Sequence, residues 1–454
     1  SRYRLIARPC VWIPPARWAS SARPCGYELA LAMASVVVDV GSGYTKMGLA
    51  GNIAPQFVIP TCVANSAKRS SSSAVGFTSN SKLQSVGLAD YDFYIGDEAY
   101  QRKDSPNYLL SNPVVKGKID NWDDMERFFH DAFFRKMRCL PEEHLFLLTE
   151  TPFNTPEHRM KTAEIMFETF NVRGLHIAVQ AVLALYAQWR SKAADTSGSA
   201  DLTGVVVDSG EGVTHVIPVG DGYVINSCIQ ELPLGGKHVT EFVSDMLRDR
   251  GEPVPPEQRL EAARQIKEDH SYVCRDIVEE YQKFDRDSKR FKTLSGIFQK
   301  TREPWSIDIG YERFLAPEIF FHPEIFVDTV TVPLPTVVDN CIMQCPIDYR
   351  RRLYKNVVLS GGSTSFQHFK ERLQLDLQQT VNARLKQHEV ATGTEPQPIE
   401  VKVEGGKKKA TRYAAWLGGS LFASELGFES TCKLKREYEE VGSQCMRGHS
   451  ALNC

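Results

Sequence analysis

Two stretches of the chain, 169 residues apart, carry one pattern. VVVDVGSGYT begins at Val36 and VVVDSGEGVT at Val205, and the two share seven identities in ten. Each valine run predicts a strand buried on both faces. Each is followed by an aspartate and a Gly-x-Gly turn, where glycine permits a tight bend and brings backbone N–H groups close to whatever sits there. One such turn says little, since a chain with 31 glycines in 454 residues holds a Gly-x-Gly by chance roughly twice. The pair says more: it predicts two similar lobes facing each other, each presenting a glycine turn and a carboxylate. YTKMGLA after the first turn still reads as strand, so the motif is a hairpin. Position 46 is a lysine, so both the dinucleotide fingerprint and the Walker loop fail on spacing.

Backbone donors from two such hairpins can grip a chain of phosphates from both sides. Asp39 and Asp208 are then placed to hold a Mg²⁺ through its waters, because that ion keeps several. Lys46 can neutralise phosphate charge. The competing structural account is two buried hairpins, with glycines for packing and aspartates bonding their own turns. The repeat favours the ligand.

Composition fits a water-soluble globular chain: 42% hydrophobic, 24% charged, mean hydropathy −0.30. A net charge of −2 gives no basic field that would argue for nucleic acid. The eleven cysteines are scattered without CxxC pairs, which predicts reduced, mostly buried thiols. The most apolar stretch, GLHIAVQAVLALYAQW (174–189), is too short for a bilayer and is interrupted by Gln180, so no membrane insertion is expected. It reads as a strand–helix junction, and the buried amide needs partners. Residues 1–32 carry five arginines and one acid. That is the balance of a transit peptide, yet MASVVVDV at Met33 is a natural start, and the leader reads as an atypical, non-native addition.

The segment 65–85 has eight serines in 21 residues and reads as a mobile surface loop. DNWDDMERFFHDAFFRKM (120–137) predicts an amphipathic helix with Trp122, Met125, Phe129 and Phe133 on its core stripe. LFLLTE (145–150) reads as a strand. NTPEHRMKTAEIMFETF (154–170) reads as a helix capped by Thr155, with Pro156 in its first turn. Residues 191–203 read as a loop at the lobe boundary. Residues 251–273 give a proline-rich turn and then a helix. Lys267 and Glu268 near its end look, by themselves, like a solvated pair. NVVLSGGSTSF (356–366) is a third strand running into a glycine turn, suited to close approach by a flat ring. Lysines 407–409 read as a solvated loop, and WLGGSLFAS (416–424) as a glycine-broken apolar segment.

FLLTETPFNTPEHRMKTAEIMFETFNV, HIAVQAVLALYA, DSGEGVTHVIPV, IDIGYERFLAPEIFFHPE, CPIDYRRRLYKNVVLSGGST and RYAAWLGGSLFAS together resemble the actin family, over about residues 36 to 424. The resemblance implies an α/β, two-lobed ATPase fold with four subdomains around a central nucleotide cleft. It divides the chain into subdomain 1 (33–60, 113–190 and 413–454), subdomain 2 (61–112), subdomain 3 (204–234 and 329–412) and subdomain 4 (235–328). It implies ATP and Mg²⁺ as cofactors. Asp39, Gly41, Ser42, Gly43 and Lys46 match the first phosphate hairpin; Asp208, Gly210, Glu211, Gly212 and His215 match the second. Gln180, with His215, matches the groups that act on attacking water. Lys267 and Glu268 match the adenosine-side helix, and Gly361, Gly362 and Ser363 the loop beneath the base. Arg412 and Tyr413 sit where the family has a base-side cation and aromatic. Two positions depart from the family: Glu211 stands for an aspartate and Ser365 for a larger apolar residue, which puts tight nucleotide affinity and normal hydrolysis in question.

Within the family the matching stretches point to an actin-related subunit of the complex that nucleates branched actin filaments. The implied partners are a second actin-related protein, the smaller complex subunits and actin filaments, in the cytoplasm, cytoskeleton and cell projections. The nucleotide would serve as a structural switch with at most slow hydrolysis, not as fuel for an enzyme. A nuclear actin-related subunit of a chromatin remodeller is the alternative. A metabolite kinase would need a sugar pocket and its own aspartate, for which no motif is found. A chaperone ATPase would need a peptide-binding domain after WLGGSLFAS. Conventional actin has its filament-contact loop where this chain has the serine-rich segment.

Overall fold

The computed structural model describes residues 34–66, 92–103, 105–193, 202–298, 302–405 and 408–448. The leader 1–32 lies outside the described residues, as does the serine-rich segment from 67 onward. Its first two residues, Asn65 and Ser66, are not loop: they end the strand Val63–Ser66.

Each valine run is the central strand of its own sheet. Val36–Asp39 pairs antiparallel with Tyr44–Leu49 and parallel with Leu145–Glu150, which in turn runs parallel to Gly174–Val179. In the second sheet, Gly204–Ser209 pairs antiparallel with Thr214–Gly220 and parallel with Val357–Ser360, which runs parallel to Val403–Glu404. The sequence repeat is therefore a repeat of topology: a hairpin flanked by two parallel strands.

Side-chain alternation explains why the valines are unbroken. Val36 and Val38 enter the core of the first lobe, while Val37 turns to a central seam. Val205 and Val207 enter the core of the second lobe, while Val206 turns to the same seam. Along each valine run both faces are buried against apolar neighbours, and the polar residues come only at the strand ends, Asp39 in one and Asp208 and Ser209 in the other.

The seam is held by two helices, Gln180–Ala193 and Ala414–Phe422. The second runs straight through its two glycines. A Cβ on Gly418 would lie 1.8 Å from the Leu183 carbonyl oxygen, so only glycine permits this approach. Trp416 is fully buried beside it and donates its indole N–H to the Val37 carbonyl at 3.1 Å. The first helix extends to Ala193, three residues into the expected boundary loop; 194–201 lie outside the described residues.

The predicted amphipathic helix forms as Trp122–His130 followed by a wider turn, Asp131–Met137, with Met125, Phe129 and Phe133 buried. Asp124 on it is buried too, and accepts from Asn65, Asn121 and Arg127, tying it to the strand Val63–Ser66. The helix Pro156–Glu164 is capped by Thr155, whose hydroxyl accepts from the His158 N–H. Lys408 and Lys409 are not loop: they open the short helix Lys408–Arg412. All eight cysteines among the described residues are free thiols, and seven of them are buried. No helix among the described residues is long and apolar enough to cross a membrane.

Candidate functional site

In each hairpin, register sets the chemistry. Asp39 lies opposite Lys46, and Asp208 opposite His215, at equivalent positions of the repeat. Lys46 Nζ is 2.8 Å from Asp39 Oδ2. The same carboxylate accepts from Thr149 Oγ1 at 2.7 Å and from Gln180 Nε2 at 3.0 Å, both on Oδ1. Gln180, the first residue of the seam helix, also reaches Thr149 and the Val40 carbonyl. That satisfies its N–H₂ group, and its Oε1 has no partner among the described residues.

The two glycine turns meet tip to tip. A Cβ on Gly43 would sit 3.0 Å from that of Glu211. Behind the second turn, Gly210 and Glu211 accept from the N–H groups of Gly236 and Lys237, at the head of the helix Gly236–Asp249. Ser363 donates to the Gly210 carbonyl at 2.9 Å. Gly361 has φ +89° and lies so close to Ser209 that a Cβ would clash at 2.1 Å. The third turn is thereby seated directly under the second hairpin. Ser365 closes on its own turn through a bond to the Gly362 carbonyl.

These elements enclose a cavity of about 710 Å³. Asp39, Gly41, Ser42, Gly43, Lys46, Gln180, Asp208, Gly210, Glu211, Gly212, His215, Lys267, Glu268, Gly361, Gly362, Ser363 and Arg412 all line it, so the structure brings every one of these residues to one place. Tyr413 does not line it; its ring lies 5.9 Å from the Arg412 guanidinium.

Lys267 corrects the reading of a solvated pair. It is buried, donates to the Gly236 carbonyl at 2.9 Å and lies 3.8 Å from a Glu211 oxygen. The longer side chain of Glu211 thus has a cationic neighbour.

Burial pushes the Asp208 carboxyl above the usual carboxylate range, and the charge of Asp39 adds to the push; a hydrogen bond with Ser360 and the charge of His215 oppose it. Burial holds the neighbouring His215 imidazole below its usual value, against the pull of Asp208 and Glu231. Asp208 is half-buried; a carboxyl raised by desolvation and by a second carboxylate is relieved by a cation between them, and the donor set suits a Mg²⁺ that keeps most of its waters.

Several lining residues escaped the sequence reading. Ser42 accepts from the Gly117 N–H at 2.7 Å, which brings the turn between Val114–Val115 and Lys118–Ile119 over the first hairpin. Tyr44 accepts from Arg264 at 2.9 Å across the cavity mouth, and Arg412 lies over its ring at 5.8 Å. The VKGK turn (115–118) offered one signal, a glycine between two lysines; Tyr44 offered none.

Two sheets of equal topology, a shared seam and three glycine turns around one cavity define the class: an α/β, two-lobed, actin-like fold. The family model for actin matches residues 30–449. The chain belongs to the actin family. Among its relatives, it is 50% identical over 414 residues to actin-related protein 3 of Drosophila melanogaster, covering 90% of this chain and 96% of that protein. It is 47% identical over 419 residues to actin-related protein 3 of Dictyostelium discoideum, covering 92% and 97%. It is 48% identical over 414 residues to actin-related protein 3 of Caenorhabditis elegans, covering 90% and 96%.

Proposed function

We propose that this chain is an ATP-binding, actin-related subunit of the complex that nucleates branched actin filaments. It would pair with a second actin-related protein to mimic a filament end. The observation that carries this reading is the similarity to actin-related protein 3, which runs along nearly the whole length of both chains. The convergence of the repeat's aspartates and glycines on one cavity supports the nucleotide part.

On this reading the glycine turns donate backbone N–H groups to the phosphates. Asp39 and Asp208 would hold Mg²⁺ through its waters, and the ion would supply positive charge to the phosphates. Lys46 contributes a second positive charge from the first hairpin. Gln180 and His215 stand where attacking water is oriented. Lys267, Glu268 and Arg412 flank the adenosine, with Gly361, Gly362 and Ser363 beneath the base. A bound nucleotide would bridge the two hairpins, one from each lobe, and would so shift a population toward the closed arrangement more than it would drive turnover. The four-subdomain division, the cytoplasmic and cytoskeletal location and the presence in cell projections belong to the same proposal.

A tagged pull-down from native lysate, read by mass spectrometry, tests it. Recovery of a second actin-related protein with the small complex subunits supports the proposal. Recovery of chromatin-remodeller subunits in their place overturns it.

A further inference from the structure

A second cavity, of about 770 Å³, opens beside the first and shares Gln367, His368 and Glu371 with it. Its wall is strongly basic. Arg275, Lys289, Arg290, Lys292, Arg313 and Arg372 line it, against the carboxylates Glu280 and Glu371.

Internal bonds account for part of that charge. Arg372 donates to Glu318, Asp376 and the Cys274 carbonyl, at 3.1, 2.7 and 2.7 Å. It is buried and holds the wall together. Arg313 donates to the carbonyls of His270 and Arg290, and its guanidinium lies 5.3 Å from the Tyr272 ring centre. Arg290 is 3.7 Å from Glu280, but Glu280 also accepts from the Tyr272 hydroxyl at 2.7 Å and from Lys283 at 3.2 Å. Arg275, Lys289 and Lys292 have no carboxylate within ion-pair distance among the described residues, and all three are exposed.

The three come from separate places. Arg275 precedes the helix Ile277–Arg286, Lys289 sits in the turn Ser288–Arg290, and Lys292 opens the strand Lys292–Ile297. The fold gathers them on one rim. Like charges gathered this way repel one another, and a bound anion removes that cost. Arginines with fixed forks beside mobile lysines suit several phosphate oxygens at once, better than a single carboxylate. The phosphate turns of the first cavity are not part of this wall.

We infer that this cavity is a binding site for a compact anion carrying clustered phosphates. The chemistry is shared by a free polyphosphate and by a phosphorylated lipid headgroup, so the test has an arm for each. The full chain is titrated calorimetrically with tripolyphosphate at constant free Mg²⁺, with and without one molar equivalent of MgATP, which offers the first cavity a ligand without flooding the second. In parallel it is sedimented with phosphatidylcholine vesicles, plain or doped with phosphatidylinositol bisphosphate. The expected result is saturable binding to at least one probe that survives one molar equivalent of MgATP. The double variant Lys289→Ala/Lys292→Ala should weaken it about tenfold, since charge-assisted contacts are lost, and should lower its salt dependence. Both lysines are exposed, so the thermal midpoint of the variant should match wild type. Lys161→Ala, which removes a lysine paired with Glu164 on the other lobe, should bind like wild type. Binding of tripolyphosphate alone identifies a free anion as the ligand class, and binding of doped vesicles alone identifies a headgroup. The inference is overturned if neither probe saturates, if one equivalent of MgATP abolishes binding, or if the double variant binds like wild type.

Discussion

Gln180 donates its side-chain amide to Asp39 at 3.0 Å, which ties the start of the seam helix to the carboxylate at the end of the first strand. The amide thereby has a fixed orientation, and its Oε1 has no partner among the described residues.

Gln180→Ala should therefore slow ATP hydrolysis about tenfold to a hundredfold, the usual worth of positioning, while ATP affinity changes little. Single-turnover hydrolysis and equilibrium nucleotide titration separate the two effects. An affinity that falls as far as the rate would show that Gln180 holds the hinge, not the water.

Asp208 gives a prediction with a sign. Its carboxyl is raised in the folded state, by burial first. For an acid this contributes stability that is present below the unfolded value, about 3.9, and is lost as pH rises through the raised native value. Without ligand, Asp208→Asn should be as stable as wild type or more so at pH 7, with the difference shrinking toward pH 4. With MgATP the order should reverse. A ligand at about 100 times its dissociation constant adds about 2.7 kcal/mol, and the variant should lose most of that increment. Thermal shifts with and without MgATP read both effects. A variant destabilised without ligand, with an unchanged increment from MgATP, would mean that Asp208 only ties its own turn.

Tyr44 and Arg264 join the two lobes across the cavity mouth at 2.9 Å, and the Tyr100 hydroxyl reaches Glu261 nearby at 3.2 Å. A hydrogen bond to a charged group is worth about 1.5–3 kcal/mol, and part of that is lost to solvent at a half-exposed site. Tyr44→Phe should raise the ATP dissociation rate about threefold to tenfold. A chase of fluorescent ATP by unlabelled nucleotide measures it, and an unchanged rate would remove this contact from the gate.

Gly418→Ala should destabilise the seam by about 3 kcal/mol, at the upper end of overpacking, because its Cβ has the Leu183 backbone in the way. Backbone cannot swing aside as a flexible side chain can. Gly427→Ala, with nothing within 4 Å of the added carbon, should stay within about 0.5 kcal/mol. Urea unfolding of both variants decides it; equal midpoints would contradict the close approach.

The strands, the turns and the duplicated hairpin were legible in the sequence because their causes are local. A valine run, an aspartate and two glycines specify strand, carboxylate and bend within ten residues. The capped helix after Thr155 and the strand Leu145–Glu150 were legible for the same reason. Local pattern marked Gln180 as an amide in need of partners and Lys267 as one of a charged pair; the resemblance to actin gave both their expected roles and brought in Arg412, which no local pattern would have done. What the sequence could not set is the environment of a charge. Lys267 looks solvated in its helix and is buried only because the Gly236 carbonyl and Glu211 arrive from another segment. WLGGSLFAS looks broken, yet it lies largely in the helix Ala414–Phe422, where Gly418 permits the close approach of Leu183 and does not end the helix. Tyr44 finds Arg264, and the cations of the second cavity find one another, only when distant segments pack. Local conformation follows from neighbours in the chain, but burial and electrostatic partners follow from neighbours in space, and those the tertiary structure alone decided.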